Sequence, residues 1–178
     1  MVLSKRLQAV ATLVDTGFRV IDVGCDHAYL DIYLTLNNDN KCIATDINEK
    51  ALEKAKENIK KYKLSRKIKT VLTNGLIGID VEDTDVIVIS GMGTYTILDI
   101  LNTNKTSNTL VLSSNNNVDV LRREIFKLGY SIDSEIFLFD KGKPYIIIKF
   151  IKEEVRYNED DVEFGPYLKH NKDYIAYR

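Results

Sequence analysis

Residues 20–28 read Val-Ile-Asp-Val-Gly-Cys-Asp-His-Ala, an apolar run that ends in an acid, a glycine and a second acid. This order is typical of a first β-strand that passes into a cofactor-binding loop. A second apolar run, at residues 42–45, ends at Asp46, which follows Asp22 by 24 positions. Nucleotide-binding α/β domains present a carboxylate to a ribose at roughly this spacing. Together the two runs predict an adenosine-containing cofactor.

The size and composition of the chain fit one domain with a short addition. Its 178 residues are 44% hydrophobic and carry a net charge of −1, which suits a single core. We expect a domain at residues 1–152 and a tail at residues 153–178. No apolar run approaches the roughly 20 residues that cross a bilayer, and the N-terminus lacks the layout of a signal peptide. We therefore expect a cytoplasmic protein that does not contact a membrane.

The two cysteines, Cys25 and Cys42, lie in or directly after strand-like runs. We expect free thiols, and no metal, because no His/Cys cluster has the spacing of a zinc site. Cys25 has two interpretations, a thiol with a lowered pKa at a helix N-terminus or a small buried side chain. We favour the buried side chain.

Helix-period and strand-like segments alternate along the chain. An N-terminal helix before Gly17 is predicted by apolar residues at helical spacing, namely Leu3, Leu7, Val10 and Val14. Strands are predicted at Phe18–Val23, Cys42–Ile47, Ile68–Leu72, Asp85–Ile89 and Thr109–Leu112. Helices are predicted at Tyr29–Leu36, from the N-cap Asn48 to about Tyr62, at Thr94–Leu101 and at Val118–Leu128, with Gly129 as the last C-cap.

Two further strand-like runs, Tyr130–Phe139 and Tyr145–Phe150, are joined by only five residues. So short a link cannot hold a crossover helix, so the two runs must form an antiparallel hairpin. A mostly parallel sheet that ends in such a hairpin is the layout of the S-adenosylmethionine (SAM)-dependent methyltransferase fold.

Four stretches, taken together, closely resemble the bacterial tRNA adenine-22 N1-methyltransferase family. They are Asp-Val-Gly-Cys-Asp-His-Ala-Tyr-Leu at 22–30, Ala-Thr-Asp-Ile-Asn at 44–48, Ser-Gly-Met-Gly at 90–93 and Glu-Phe-Gly-Pro-Tyr-Leu at 163–168. The resemblance implies a Rossmann-like class I methyltransferase: a mostly parallel seven-stranded sheet ending in an antiparallel hairpin, with an N-terminal helix. It also implies SAM as the cofactor and methyl transfer to N1 of an adenine in tRNA.

The chain departs from this family at three places. Thr94 stands where members have a glycine, and residues 113–115, Ser-Ser-Asn, stand where they have a Gln-Pro-Asn-like element. The family also has a C-terminal helical arm that resembles an antiparallel coiled coil. We expect residues 153–178 to be the start of such an arm, either trimmed or short in this member.

The resemblance implies a set of cofactor-binding residues. Gly24 lets the backbone approach the cofactor, Asp22 orients its amino group, and the Asp46 carboxylate accepts hydrogen bonds from both ribose hydroxyls. Asp46 has an alternative interpretation as a charge at the N-terminal end of a helix dipole. The full expected set is Asp22, Gly24, Cys25, Asp26, His27, Asp46, Ile47, Asn74, Gly75 and Ser90.

Some members of this set have an equally simple structural explanation. Asn74 either binds the adenine amino group or is a turn residue. His27 either contacts the substrate or caps and packs at a helix start, and we do not assign it as a base.

Methylation at adenine N1 requires a base that is unpaired or flipped, because a duplex hides this atom in its pairing edge. The unprotonated N1 already has a lone pair, so positioning and exclusion of water supply much of the catalysis. We expect the target-base pocket at Tyr29, Gly91, Met92 and Gly93. Tyr29 is as well explained by packing under a helix.

Residues 50–69 carry nine Lys or Arg against two Glu, although the whole chain is nearly neutral. These cations either form the solvated face of a helix, with Glu partners one turn away, or contact tRNA phosphates. The candidate RNA contacts are Lys54, Lys56, Lys60, Lys61 and Lys63.

Three alternative functions remain at this stage. A methyltransferase of the same fold acting on a small molecule or protein would leave the basic segment without a role. A nicotinamide dehydrogenase would also use Asp46, but the usual second and third glycines of its loop are absent. A SAM-binding module without activity is the third. No obligate protein partner is predicted.

Overall fold

The computed structural model describes residues 1–178 and contains one seven-stranded sheet in the order β3-β2-β1-β4-β5-β7-β6. Strands β1 to β5 are parallel, and β7 pairs antiparallel with both β5 and β6. The predicted fold class, including the terminal hairpin, is confirmed. The strands are β1 (Arg19–Val23), β2 (Lys41–Asp46), β3 (Ile68–Leu72), β4 (Val86–Met92), β5 (Thr109–Ser114), β6 (Tyr130–Asp140) and β7 (Lys143–Lys152).

Helices cover both faces of the sheet, so the central strands are apolar on both sides. Along β1, Val20 belongs to a core shared with α1, α2 and α3, while Ile21 belongs to a second core shared with α4 and α5. None of the helices is long and apolar enough to cross a membrane. The helices are α1 (Lys5–Thr12), α2 (Tyr29–Asn37), α3 (Glu49–Lys61), α4 (Thr94–Asn102), α5 (Val118–Lys127), α6 (Glu159–Phe164) and α7 (Lys172–Tyr177), with a 3-10 turn at Leu168–His170.

Strand order creates a crevice at the carboxyl edge of the sheet. β1 lies between β2 and β4, so the connection after β1 turns to one side of the sheet and the connection after β4 to the other. Ligands of open α/β sheets bind at such a reversal, outside the carboxyl ends of the strands. The predicted site residues follow β1, β2, β3 and β4, so the topology alone brings them to one edge.

Local sequence chemistry sets several element boundaries. The Asn48 side chain accepts the Ala51 N–H at 3.2 Å and caps α3 as predicted, a contact that stabilises by about 1 kcal/mol. After α5, Gly129 has φ +80° and directly follows the cap residue Leu128. β4 continues past the predicted end at Ile89, through a bulge between Ser90 and Met92.

The C-terminal residues 153–178 pack against α5 and β6 through a buried ion pair. The Arg122 Nε donates to Glu135 Oε1 at 2.9 Å, and neither side chain is exposed. Arg122 also donates to the carbonyls of Val162 and Glu163, at 3.3 and 3.1 Å. Both side chains therefore bind the C-terminal segment as well as each other, an arrangement absent from the sequence-based expectations.

Candidate active site at the carboxyl edge of the sheet

The loop after β1 crosses the end of β2. The N–H groups of Gly24 and Cys25 both donate to the Thr45 carbonyl at 2.9 Å. Gly24 has φ +79°, and a Cβ at this position would lie 2.7 Å from Met92 Cε. A side chain here would be strained and would press on the residue that ends β4. The absence of a side chain at Gly24 therefore allows the ends of β1, β2 and β4 to lie close together.

Asp46 is held by the same loop. Its Oδ2 accepts the Asp26 N–H at 3.0 Å, and its Oδ1 accepts the Asn48 N–H at 2.8 Å. A carboxylate has about four acceptor positions, so roughly two stay free for a ligand diol. Asp26 and Ala28 have φ of +51° and +59°, a strained conformation for residues with a Cβ. The loop geometry thus fixes the carboxylate and leaves acceptor capacity open.

A pair of buried carboxyl groups lies beneath this loop. Burial, together with the Asp46 charge, raises the pKa of Asp22 to about 6, although a hydrogen bond to Asp31 and the charge of Arg6 act to lower it. Burial, followed by the charge of Asp22, raises the pKa of Asp31 well above its ordinary value. Neither Asp31 oxygen meets a donor N–H or O–H group. A proton shared between the two carboxyls satisfies both.

The other residues of the loop have distinct environments. Cys25 is buried, and burial followed by the Asp31 charge raises the pKa of its thiol, so it is a neutral packing group, as favoured from the sequence. The His27 ring meets the Tyr29 ring edge to face at 5.9 Å between centroids. Its Nε2 lies 3.6 Å from Asp26 Oδ1. Tyr29, 41% exposed, begins α2.

The connection after β3 joins the same edge. The Gly75 carbonyl accepts from Thr45 Oγ1 at 3.4 Å, which ties this connection to the end of β2. Asn74 is exposed and its carbonyl accepts the Ile77 N–H at 3.3 Å, so its backbone forms a turn while its side-chain amide is unpaired. Ile47 is 70% exposed. This edge therefore offers the ring of a ligand two features: the exposed aliphatic side chain of Ile47 and the free side-chain amide of Asn74.

The end of β4 is shaped by two contacts across the site. Ser90 Oγ accepts from Arg6 Nη1 at 3.3 Å, and the Gly91 carbonyl accepts from Asn115 Nδ2 at 2.9 Å. Gly93 is the N-cap of α4. The backbone of residues 90–93 is therefore held on one side by α1 and on the other by the loop after β5.

Thr94, where the resembled family has glycine, is fully buried. Its Oγ1 donates to the Asn116 carbonyl at 2.7 Å and contacts Ser114 Oγ at 2.8 Å, and its N–H donates to Asn116 Oδ1 at 3.1 Å. This departure from the family pattern thus orders the loop at 114–117, which faces the site.

These elements enclose an open cavity of about 680 Å³, within the usual size of a ligand site. Four predicted residues line it, Gly24, Asp26, Ser90 and Gly91; the other predicted site residues, Asp46, Asn74 and Tyr29 among them, do not. The remaining lining residues were not predicted from the sequence: Arg6, Asn115, Lys143, Pro144 and Tyr145. They come from α1, the loop after β5 and the hairpin, and no local sequence signal connects these segments.

The predicted RNA-contacting lysines are all exposed, but they do not share one face of α3. At about 100° per residue, Lys54 and Lys61 lie on the stripe of Asn58, whose Nδ2 donates to the His27 carbonyl at 3.0 Å. Lys56 and Lys60 lie on another stripe, and Lys56 lines a groove beside the beginning of β3. Lys63 follows the helix with φ +59°. Only the first stripe faces the cofactor loop.

Comparison with known proteins adds to this geometry. The profile of the family described as "Methyltransferase domain" matches residues 3–148. The chain belongs to this methyltransferase family. It is 34% identical over 151 residues to the Bacillus subtilis tRNA (adenine(22)-N(1))-methyltransferase, covering 82% of this chain and 63% of that protein. The chain thus spans less than two thirds of the length of this curated relative.

Solved structures agree with the sequence match. The structure of M. capricolum TrmK in complex with S-adenosyl-homocysteine has a TM-score of 0.91 at 35% identity, over 99% of this chain and 82% of that one. The B. subtilis tRNA methyltransferase TrmK has a TM-score of 0.90 at 28% identity, over 99% and 81%. The resemblance identified from four sequence stretches is confirmed.

Proposed function

We propose that this chain transfers a methyl group from SAM to N1 of an adenine in tRNA, at position 22. Membership of the methyltransferase family supports the reaction class. The named activity of the Bacillus subtilis relative supports the substrate and the position. A tRNA substrate also favours a cytoplasmic location. Residues 1–152 would form the catalytic domain, and residues 153–178 a segment packed on it.

One observation carries the cofactor assignment: a carboxylate fixed by two backbone amides beside a glycine loop. Asp46 keeps free acceptor positions at the mouth of the crevice, and two vicinal ribose hydroxyls match them. Asn74 has a free amide for the adenine amino group, and the exposed Ile47 would pack on the adenine ring. SAM supplies an electrophilic methyl group on a sulfonium.

The protein side chains have a limited chemical task in this reaction. Unprotonated adenine N1 needs no base, because its lone pair is available. The backbone at 90–93 and Tyr29 would hold the flipped base in line and keep water away, which supplies catalysis by orientation. The neutral, buried Cys25 thiol is unsuited to act as a nucleophile. The proposed mechanism is therefore direct transfer without a covalent enzyme intermediate.

Substitution of Asp46 tests the cofactor assignment. Asp46→Ala removes two charge-assisted acceptors, so SAM affinity should fall about tenfold or more, and Asp46→Asn should lose less. Calorimetric titration of each folded variant with SAM gives the affinity. Asp99→Asn, an exposed acid on α4 outside the site, is the matched control. SAM affinity that survives Asp46→Ala would contradict the assignment.

Methyl transfer to defined RNA tests the substrate. Unmodified tRNA with adenosine at position 22 should accept a labelled methyl group, and the same tRNA with guanosine there should not. Nuclease digestion and mass analysis should locate the product at N1. Transfer to both tRNAs would contradict the position, and SAM binding without transfer to tRNA would favour a small-molecule or protein substrate.

A further inference from the structure

The tip of the β6–β7 hairpin overhangs the candidate site. β7 pairs with β5 only from Ile148 to Ile151, and the last link toward the tip is the Ser113 Oγ donating to the Ile146 carbonyl at 2.9 Å. β7 begins three residues earlier, at Lys143. At about 3.4 Å per residue the tip extends roughly 10 Å past this link, at the carboxyl edge.

Arg6 of α1 lies against this overhang. Its guanidinium carbon is 5.4 Å from the centre of the Tyr145 ring, its Nη1 donates to Ser90 Oγ at 3.3 Å, and its backbone N–H donates to Asp140 Oδ2 at 3.1 Å. A Cβ at Gly91 would lie 3.0 Å from Arg6 Nη1. The Tyr145 ring and Ser90 Oγ thus hold the guanidinium at the wall of the cavity, and no carboxylate oxygen lies within 4.0 Å of it.

The cations around this wall are unpaired. Arg6, Lys141 and Lys143 do not approach a carboxylate oxygen within 4.0 Å, whereas most other arginines of the chain form such pairs. The acid on the cavity lining, Asp26, approaches His27 instead. A fixed guanidinium with the Lys143 ammonium on the same lining, and with Lys141 in the adjoining hairpin turn, is an incomplete anion site, since the forked donors of Arg match two phosphate oxygens.

We propose that Arg6, Lys141 and Lys143 bind a backbone phosphate of the RNA strand next to the target nucleotide. This inference rests on the proposed function and adds to it a specific contact. A base that leaves its stack brings its flanking phosphates toward the enzyme. A phosphate held at the hairpin tip would orient that nucleotide over the cavity, with Arg6 fixing its position and the two lysines adding attraction.

Charge-neutral variants measure this contact. Arg6→Gln should weaken binding of unmodified tRNA by about tenfold, the effect expected when a charged hydrogen bond is lost. Lys141→Gln/Lys143→Gln should weaken it by several-fold and lower the salt slope of binding by about 1 to 2, because each lost contact releases fewer counterions. Arg6→Lys should recover part of the loss. Calorimetric titration with SAM is run on every variant, and the loss of tRNA affinity should exceed any loss of SAM affinity.

Lys41→Gln/Lys105→Gln is the matched control. It removes two exposed positive charges at the opposite edge of the sheet, where β2 and β5 begin. An equal loss of tRNA affinity in this control would attribute the effect to net charge and overturn the proposal. If Arg6→Gln weakens SAM binding as much as it weakens tRNA binding, the bound anion is the cofactor carboxylate and the proposal is overturned.

A neutral linkage in the RNA separates this proposal from the parent function. A tRNA with one methylphosphonate beside the target nucleotide should bind the wild-type protein more weakly, and Arg6→Gln should cause no further loss. Additive losses would overturn the phosphate contact while leaving methylation of tRNA intact. Absence of methyl transfer by the wild-type protein would instead refute the proposed function.

Discussion

Asp22 and Asp31 are two buried acids whose ionisation opposes folding at neutral pH. Both carboxyl groups are buried, and no N–H or O–H group donates to Asp31. Two carboxylates in such a place cannot both be ionised, so folding keeps a proton that the unfolded chain releases at neutral pH. The sequence identified Asp22 as the acid near the end of an apolar strand, but Asp31, in α2, gave no such signal.

Asp31→Asn should stabilise the protein at pH 8. The folded pKa of Asp22 is about 6 against an ordinary 3.8, so between about pH 4 and 6 the native state binds the extra proton. The free energy of unfolding therefore falls as pH rises through this window, by about 3 kcal/mol. The pKa of Asp31 is raised well above its ordinary value, so Asp31 adds a further decline that continues to higher pH. Asn donates to Asp22 without a proton to lose, which removes the share of Asp31.

Thermal unfolding between pH 4.5 and 8.5 measures this difference. Asp99→Asn, exposed on α4, should keep the wild-type pH dependence. Parallel curves for wild type and Asp31→Asn would show that the buried pair does not share a proton.

At the scale of elements, α3 presents its lysines on two stripes with different surroundings. Lys54 and Lys61 share the stripe of Asn58, which bonds to the cofactor loop, whereas Lys56, on the stripe it shares with Lys60, lines a groove beside the beginning of β3. We expect Lys54→Gln/Lys61→Gln to weaken tRNA binding by several-fold and to flatten its salt dependence, because only the first stripe faces the cofactor loop. Lys56→Gln/Lys60→Gln should have a smaller effect on the tRNA affinity and on its salt dependence.

Filter binding of tRNA at several salt concentrations, with SAM calorimetry as a check on folding, separates the two pairs. An identical effect of both pairs would mean that α3 acts only through net charge.

Strands β1 to β5 were predictable because a parallel sheet covered on both faces needs continuous apolar runs, and these runs end in polar loops. Asp22, Gly24, Asp46 and Ser90 followed from that rule, since such ends meet at one edge. α6 and α7 were missed, because these short helices depend on distant contacts: the Val162 carbonyl of α6 accepts from Arg122, and Tyr174 of α7 packs on Phe137. Arg6 was missed because its partners, Ser90 and Tyr145, lie far along the chain.

At the scale of the whole molecule, Gly165 is the point where the backbone of the C-terminal segment passes close to the buried Arg122–Glu135 ion pair. Gly165, with φ +84°, has no room for a side chain, because a Cβ there would meet the Glu135 carboxylate and the Arg122 guanidinium. Gly142 also has a positive φ, +76°, but a Cβ there would meet nothing within 4 Å. Comparison of the two glycines therefore tests how much the steric conflict at Gly165 adds to the cost of a positive φ.

Gly142→Ala should cost about 1–2 kcal/mol of unfolding free energy, from the left-handed φ alone. Gly165→Ala should cost several kcal/mol more, since it also disturbs a buried ion pair. Denaturant unfolding measures both, and SAM affinity should persist in any folded fraction. Equal losses of unfolding free energy for the two substitutions would show that the C-terminal segment shifts to make room for the new Cβ and that the Arg122–Glu135 ion pair is kept.

The contacts between the N-terminal region around α1 and the β6–β7 hairpin also determine when, during synthesis, the fold can be completed. Arg6 N–H reaches Asp140, and Lys149 Nζ donates to Asp15 Oδ1 at 2.8 Å, in each case across 134 positions of the chain. Such distant pairs close large loops, which slows folding. During translation, α1 leaves the ribosome long before the hairpin is synthesised, so these contacts can form only at a late stage. The wall that we assign to RNA binding therefore assembles only after the hairpin has been made, and shorter nascent chains cannot hold a tRNA there.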